Sequence, residues 1–322
     1  MVRVGVVGVG AWGQKHARVY AAMEHVELIG VCDADPAAGQ AVAQKYKTQY
    51  YKRPQDLFGG VDAVSIVVPT AGHSEVGCAF LEQGIDTLVE KPLASTLADA
   101  DRLIACAARH RRLLQVGHLE RFNPAVVALR TILTDPRFFE IHRLGVFSPR
   151  SLDIDVVLDV MIHDLDILLA LVPSPIVTIR ALGIPILTPK IDIANARIEF
   201  QNGCVANVTA SRVSSERVRK IRFFQPNSYV SLDYERQTVS LYSLIPAPSP
   251  VGKEIVARSL VIEPYEPLRA ELESFVACVE SRAQPVCSGE DGRRALELAC
   301  QVLNHMHTDR APGDRTMPPS ID

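Results

Sequence analysis

Between Val2 and Gly117, continuous apolar runs alternate with stretches that are apolar on one helical face only. The runs at residues 2–7, 27–32, 62–68, 85–89 and 113–117 carry few polar positions, as strands covered on both faces do. Residues 14–23, 36–46, 74–83 and 96–110 read as helices, the last opening with the capping pattern Thr96-Leu97-Ala98-Asp99. Alternating strand and helix predicts an α/β unit of the Rossmann type, a doubly wound parallel sheet.

Past Arg121 the rhythm changes. Residues 138–147 read as a strand and 157–171 as an apolar helix. After Pro173 the strands follow one another without helices, at 194–200, 204–210, 218–224, 229–233 and 237–242. Gln201-Asn202-Gly203 lies between two of them and signals a hairpin. This predicts a second, α+β domain with an open, mostly antiparallel sheet. The expected division falls at Arg121, with one domain over residues 1–121 and a second over 122–322. Pro246, Pro248 and Pro250 mark a loop, residues 267–280 and 290–305 close the chain as helices, and 310–322 read as a polar, Pro-rich tail.

A length of 322 residues accommodates two domains, and 48% hydrophobic with 22% charged residues is the composition of a globular protein. A net charge of -3 argues against nucleic acid or an anionic membrane as the main partner. The densest basic run, Arg217-Val218-Arg219-Lys220-Ile221-Arg222, partly alternates polar and apolar positions and reads as the solvated face of a strand. Seven cysteines without a Cys-x-x-Cys pair argue against a disulfide framework or a zinc site, so buried thiols and no metal are expected. Met1-Val2-Arg3-Val4 runs directly into a strand, and no apolar stretch reaches the ~18 residues that span a bilayer, so the cytoplasm is the expected compartment.

Three groups of residues carry candidate chemistry. Gly8-Val9-Gly10-Ala11-Trp12-Gly13 joins the first strand to the first helix. Glycines there let backbone approach a pyrophosphate, and the helix amino terminus supplies N–H donors and a favourable dipole. Asp33 ends the second strand run; a carboxylate there accepts from a ribose 2'-hydroxyl and repels a 2'-phosphate, which favours NAD over NADP. Pro69, Thr70 and His73 form the loop after the third run, placed to line the nicotinamide ribose. Glu90-Lys91-Pro92 ends the fourth run, where a lysine would stand beside the nicotinamide and supply proton transfer next to a hydride-transfer site.

Asp159 and His163 are spaced i, i+4 on an apolar helix, which puts both on one face. A carboxylate and an imidazole in such a helix are costly unless paired. Asp159 is therefore expected to orient His163, with Asp166 within reach of His163 at i+3. His118, Arg121 and Asn123 cluster just beyond the last strand of the first unit, the edge where such sheets bind ligands, and are expected to hold phosphate or sugar hydroxyls.

The order Gly-x-Gly-x-x-Gly, Glu90-Lys91-Pro92, then Asp159-x-x-x-His163 resembles the glucose–fructose oxidoreductase, inositol dehydrogenase and rhizopine-catabolism (GFO/IDH/MocA) family, over essentially the whole chain. The resemblance implies Lys91 as the catalytic lysine, Asp159 and His163 as its active-site partners, NAD as cofactor and a homodimer or homotetramer formed through the second sheet. The segments 117–124 and 157–164 are similar to NAD-dependent UDP-N-acetylglucosamine 3-dehydrogenases. These make a 3-keto sugar for a pyridoxal-phosphate aminotransferase, toward lipid A or surface polysaccharide. Asp153-Ile154-Asp155 departs from many relatives in lacking glycines before the active-site helix. On the resemblance, a secondary sugar hydroxyl lies between Lys91 and His163, and either could take its proton. The rival readings are a dehydrogenase of a free sugar or inositol and a dinucleotide-binding regulator without catalysis.

Overall fold

The computed structural model describes residues 1–148, 154–248 and 252–308. The expected tail at 310–322, Pro250 of the expected loop and Asp153 lie outside the described residues.

The first sheet is wholly parallel. It contains β1 (Val2–Val7), β2 (Val26–Cys32), β3 (Gln49–Tyr51), β4 (Ala63–Ile66), β5 (Asp86–Glu90) and β6 (Leu114–Gly117), in the order β3-β2-β1-β4-β5-β6. Helices α1 (Gly13–Ala21), α2 (Pro36–Tyr46), α3 (His73–Glu82) and α4 (Leu97–His110) connect the strands. Local chemistry sets their starts: Asp35 accepts from the Ala37 N–H with Pro36 at the first helical position, and Thr96 accepts from the Asp99 N–H. Every residue of β4 and β5 is buried, the polar Ser65, Asp86, Thr87 and Glu90 among them, as strands covered on both faces are. The chain winds outward in both directions from β1 and β4, so the cleft between their carboxyl ends is the place such a sheet offers to a ligand. β3 had no counterpart in the sequence reading, since three residues, Gln49-Tyr50-Tyr51, are too few to display a period.

The second sheet has eight strands: β7 (Phe138–Leu144), β8 (Ile176–Ile184), β9 (Ile193–Phe200), β10 (Val205–Ser211), β11 (Val218–Gln225), β12 (Ser228–Asp233), β13 (Thr238–Pro246) and β14 (Lys253–Ser259). Their order is β14-β13-β12-β11-β7-β10-β9-β8, antiparallel throughout except where β10 lies parallel to β7. The two strands that the sequence reading missed are the edges. All seven residues of β14 are exposed, so no apolar face marks it.

One face of this sheet is covered by α5 (Pro124–Leu129), α6 (Ile162–Leu171) and α8 (Gly289–Thr308), whose apolar residues join Phe139, Ile141, Ala196 and Phe223 in one core. Helix α7 (Pro267–Ser281) returns to the first sheet. Its Leu268, Leu272, Phe275 and Val276 pack with Val4, Val6 and Tyr20. The division expected at Arg121 therefore separates the two sheets, while α7 lies beyond that boundary in sequence and packs with the first unit. Among the described residues no helix is long and apolar enough to cross a membrane.

The units are tied by buried ion pairs on α6. Arg143 of β7 donates to both oxygens of Asp164 (2.7 and 2.9 Å) and to Glu120 (2.9 Å). Arg121 donates to both oxygens of Asp166 (2.8 and 2.7 Å). Removing one member leaves a buried charge without its partner, so Arg143→Met should lower the unfolding free energy by roughly 3–5 kcal/mol. Denaturant unfolding reads this directly, and a loss under ~1 kcal/mol would show that Arg143 is not needed to hold the helix.

Burial holds the pKa of His73, His118 and His163 below the ordinary histidine value, with Lys91 and Arg143 adding to the effect at His163. The unfolded chain takes up these protons as pH falls past about 6.5, whereas the native state resists until lower pH. Stability present above that value should be lost on acidification. Thermal melts at stepped pH are expected to show Tm falling below about pH 6.5, less steeply in His118→Gln.

Candidate active site

The glycine loop leaves β1 and enters α1. A Cβ on Gly13 would stand 1.8 Å from the Gly8 carbonyl oxygen, so the loop closes on itself too tightly for a side chain there. At Gly10 a Cβ would meet nothing within 4 Å, so this part of the loop faces open space. Asp33 braces the loop: its Oδ2 accepts the Val9 N–H (2.7 Å) and its Oδ1 the Asp35 N–H (2.9 Å). A carboxylate has further lone pairs, so both bonds leave capacity for a ribose hydroxyl. An open glycine cradle at a helix start with an acid beside it fits a dinucleotide. Gly8, Gly10, Ala11, Trp12, Gly13 and Asp33 would hold it.

At the end of β5, Glu90 is 7% exposed and turned inward. Trp12 Nε1 donates to its Oε1 at 2.8 Å, His16 Nε2 lies 3.1 Å from the same oxygen, and the Lys91 N–H donates to Oε2 at 3.2 Å. These donors and the Lys91 charge more than offset burial, so its pKa is lowered. Glu90 thus clamps the first turn of α1 to the strand that carries Lys91. His16 was missed by the sequence reading; its only signal was its place three residues after Gly13, on the buried face of α1.

Lys91 Nζ donates to the Asp159 carbonyl oxygen at 2.7 Å and to its Oδ1 at 3.3 Å. Asp159 lies in a turn of π-helix, Val157–Met161, that opens directly into α6; the sequence reading had one regular helix here. The expected Asp159–His163 contact is not made, because Asp159 is engaged by Lys91. Asp166, also expected near His163, is engaged by Arg121. His163 Nδ1 is buried and has no hydrogen-bond partner among the described residues.

These side chains open onto a cavity of about 630 Å³ at the carboxyl edge of the first sheet. Trp12, Pro69, Thr70, His73, Glu90, Lys91, Asp159 and His163 line it, joined by residues of the second sheet. His73 is nearly enclosed, with Nδ1 2.9 Å from the Pro92 carbonyl and Nε2 3.0 Å from that of Val68. It ties the 69–73 loop to the Lys91–Pro92 peptide, which is cis.

The expected substrate contacts at His118, Arg121 and Asn123 are not placed at this cavity. Arg121 is 6% exposed and spends its donors on Asp166 and the Val286 carbonyl. Asn123 caps α5 through the Ala125 N–H and donates to Glu120 and the Tyr234 carbonyl. His118 is 1% exposed, 3.9 Å from Asp166. The cavity lies at the strand edge, but just past β6 the chain turns, through Leu119–Phe122, into the domain junction. The cavity is instead walled by Arg143 of β7, Arg219 of β11, and Arg212 and Arg217 from the connection between β10 and β11.

The arrangement can do proton chemistry on a bound hydroxyl. A lysine with two acceptors and a partly buried imidazole kept neutral face one cavity, beside a loop built for a dinucleotide.

A family model described as "Oxidoreductase family, NAD-binding Rossmann fold" (GFO_IDH_MocA) matches residues 2–118. The chain is 37% identical over 302 residues to UDP-N-acetylglucosamine 3-dehydrogenase of Acidithiobacillus ferrooxidans, covering 94% of this chain and 96% of that protein. A solved structure of that enzyme superposes with a TM-score of 0.89 at 36% identity, covering 95% of this chain and 98% of the other. Inositol 2-dehydrogenase of Rhizobium meliloti is 27% identical over 330 residues, covering 92% of this chain and 94% of that protein. With a relative this similar over nearly its whole length, and with the glycine loop, Lys91 and His163 arranged around one cavity, the chain belongs to the GFO/IDH/MocA family of NAD-binding oxidoreductases.

Proposed function

We propose that the protein oxidises the 3-hydroxyl of UDP-N-acetylglucosamine to a 3-keto sugar, with Lys91, Asp159 and His163 handling the proton. The observation that carries this reading is the convergence of Lys91 and His163 on one cavity beside the glycine loop. Their convergence suits a secondary alcohol, which must lose a proton from oxygen and a hydride from carbon. The similarity to a UDP-N-acetylglucosamine 3-dehydrogenase favours the nucleotide sugar over free inositol.

NAD, when bound, supplies the hydride acceptor. His163, neutral through desolvation and the neighbouring Lys91 and Arg143 charges, offers a ring nitrogen that accepts the hydroxyl proton. Lys91 donates to the same oxygen as negative charge develops there, and Asp159 aims the ammonium from the opposite side through carbonyl and carboxylate. Glu90 holds the lysine's strand against α1.

A ketone at this position is what an amino-group transfer consumes. The proposal therefore includes coupling to a pyridoxal-phosphate aminotransferase, toward lipid A or surface polysaccharide, in the cytoplasm. Self-association as a homodimer or homotetramer through the second sheet is also part of it. That sheet carries a row of neighbouring rings, Phe138, Phe224, Tyr229 and Tyr242, with centroids 6.0, 4.8 and 5.2 Å apart.

Lys91→Met should lower kcat for NADH formation from UDP-N-acetylglucosamine by about 10²–10⁴-fold, with NAD affinity nearly unchanged. Steady-state turnover and calorimetric NAD titration check both halves, and near-normal turnover in the variant would sink the assignment. His163→Gln should also lower kcat. In a side-by-side screen the wild-type protein is expected to prefer the UDP-sugar, and preference for free inositol would reverse the choice of substrate.

A further inference from the structure

The basic run at 217–222 divides between the two faces of its sheet. Lys220 and Arg222 lie on the outer face, Lys220 3.9 Å from Asp233 and Arg222 3.9 Å from Glu140. Strand periodicity puts Arg219 on the other face, that of the buried Ile221 and Phe223; Arg217 directly precedes the strand, and both line the cavity that holds Lys91 and His163. The solvated-face reading thus describes half of the run and misses the half at the cavity.

The charge there is poorly balanced. Arg219 pairs directly across the sheet from Arg143, and like charges directly opposite repel. Arg143 is neutralised by its own carboxylates, Asp164 and Glu120. Arg217 and Arg219 share Glu235: Arg217 is 3.5 Å and Arg219 3.7 Å from the same Oε1. Neither distance is that of the bidentate contact a guanidinium favours. Burial and the Arg143 charge hold the Arg219 pKa below the ordinary arginine value, in keeping with a cation short of counter-charge. Lys91, Arg143, Arg212, Arg217 and Arg219 line the cavity against the carboxylates Glu90, Glu120 and Asp159. Lys91 takes Asp159, Arg143 takes Glu120 and Asp164, and Arg212 takes Asp192, so Arg217 and Arg219, sharing Glu235 at longer range, are the cations left to a ligand.

We propose that Arg217 and Arg219 form the diphosphate subsite for a nucleoside-diphosphate sugar, whose phosphates displace Glu235 while the sugar reaches Lys91 and His163. The inference rests on the nucleotide-sugar reading above and assigns the residues that would recognise its anionic half. NAD does not compete for this wall, because the glycine loop offers its pyrophosphate a separate cradle at the start of α1. Planar guanidinium forks match phosphate oxygens, whereas Glu235 meets them at a single atom.

The test measures UDP binding by calorimetry and KM for UDP-N-acetylglucosamine in the full-length protein, with NAD affinity measured alongside. R217Q/R219Q should weaken UDP and raise KM on the order of 10–100-fold, with kcat and NAD affinity changing little. E235Q removes the competing carboxylate and should bind UDP more tightly than wild type, which a purely structural role for Glu235 would not produce. R222Q, on the outer face, should match wild type. UDP affinity unaltered in R217Q/R219Q would overturn the subsite while leaving the proposed reaction standing. UDP binding that depends on both arginines, without oxidation of UDP-N-acetylglucosamine, would support the subsite and overturn the choice of sugar. Failure of wild-type protein to bind UDP would overturn the subsite whatever the substrate.

Discussion

The active site depends on how one short apolar helix is anchored. α6 carries two carboxylates, Asp164 and Asp166, that are 0% and 1% exposed. Unpaired, they would be among the most unfavourable groups in the protein. Each takes a bidentate arginine from a different direction, Arg143 from the second sheet and Arg121 from the end of the first unit. The paired forks define the helix's rotation and depth, and with them the positions of Asp159 and His163 relative to Lys91. Tyr234 adds to this arrangement, donating to Asp164 at 3.2 Å with its ring 4.7 Å from the Arg143 guanidinium. Such pairs give geometry more than stability, because the desolvation they require offsets much of the attraction.

The electrostatics of the cavity follow from this frame. Burial, with the charges of Lys91, Arg143 and Arg219 beside it, keeps His163 from taking up a proton, and Arg219 is less well compensated than Arg143. On the opposite wall, Glu90 is kept ionised by Trp12 and His16, so the strand carrying Lys91 has a negative charge behind it. A neutral imidazole, a tethered lysine and surplus guanidinium charge share one space. That combination suits proton removal from a hydroxyl on an anionic substrate.

The first unit was nearly legible in the sequence because its signals are local. Unbroken apolar runs, Asp35 before Pro36, Thr96 before the fourth helix and a glycine loop between strand and helix each act within a few residues. Lys91 was legible for the same reason: a strand end is its address. For His118, Arg121 and Asn123 proximity to a strand end does not bring access to the cleft, and all three are buried. A 3-10 turn over Leu119–Phe122 instead drives Arg121 inward to Asp166. The edge strand β14 has no buried face to mark it, and β8 carries apolar residues on its exposed face as well, Val177, Leu182 and Ile184, which hides its alternation in the sequence.

The sequence by itself determined the fold type, the dinucleotide loop and the residue types available for proton transfer. All of these follow from periodicity and from turn or cap chemistry that reaches only a few positions along the chain. Only the tertiary structure decided which partner each charged group takes. Asp159 goes to Lys91, 68 residues away, rather than to His163 four residues on, and Arg143 finds Asp164 from 21 residues off. Arg219 reaches the cavity because β11 lies against β7, where pairing sets it on the inner face, and Arg217 reaches it from the residue just before that strand. The physical reason is that a charge inside a protein is stabilised by whichever opposite charge packing brings within a few ångströms, and sequence distance carries little information about that.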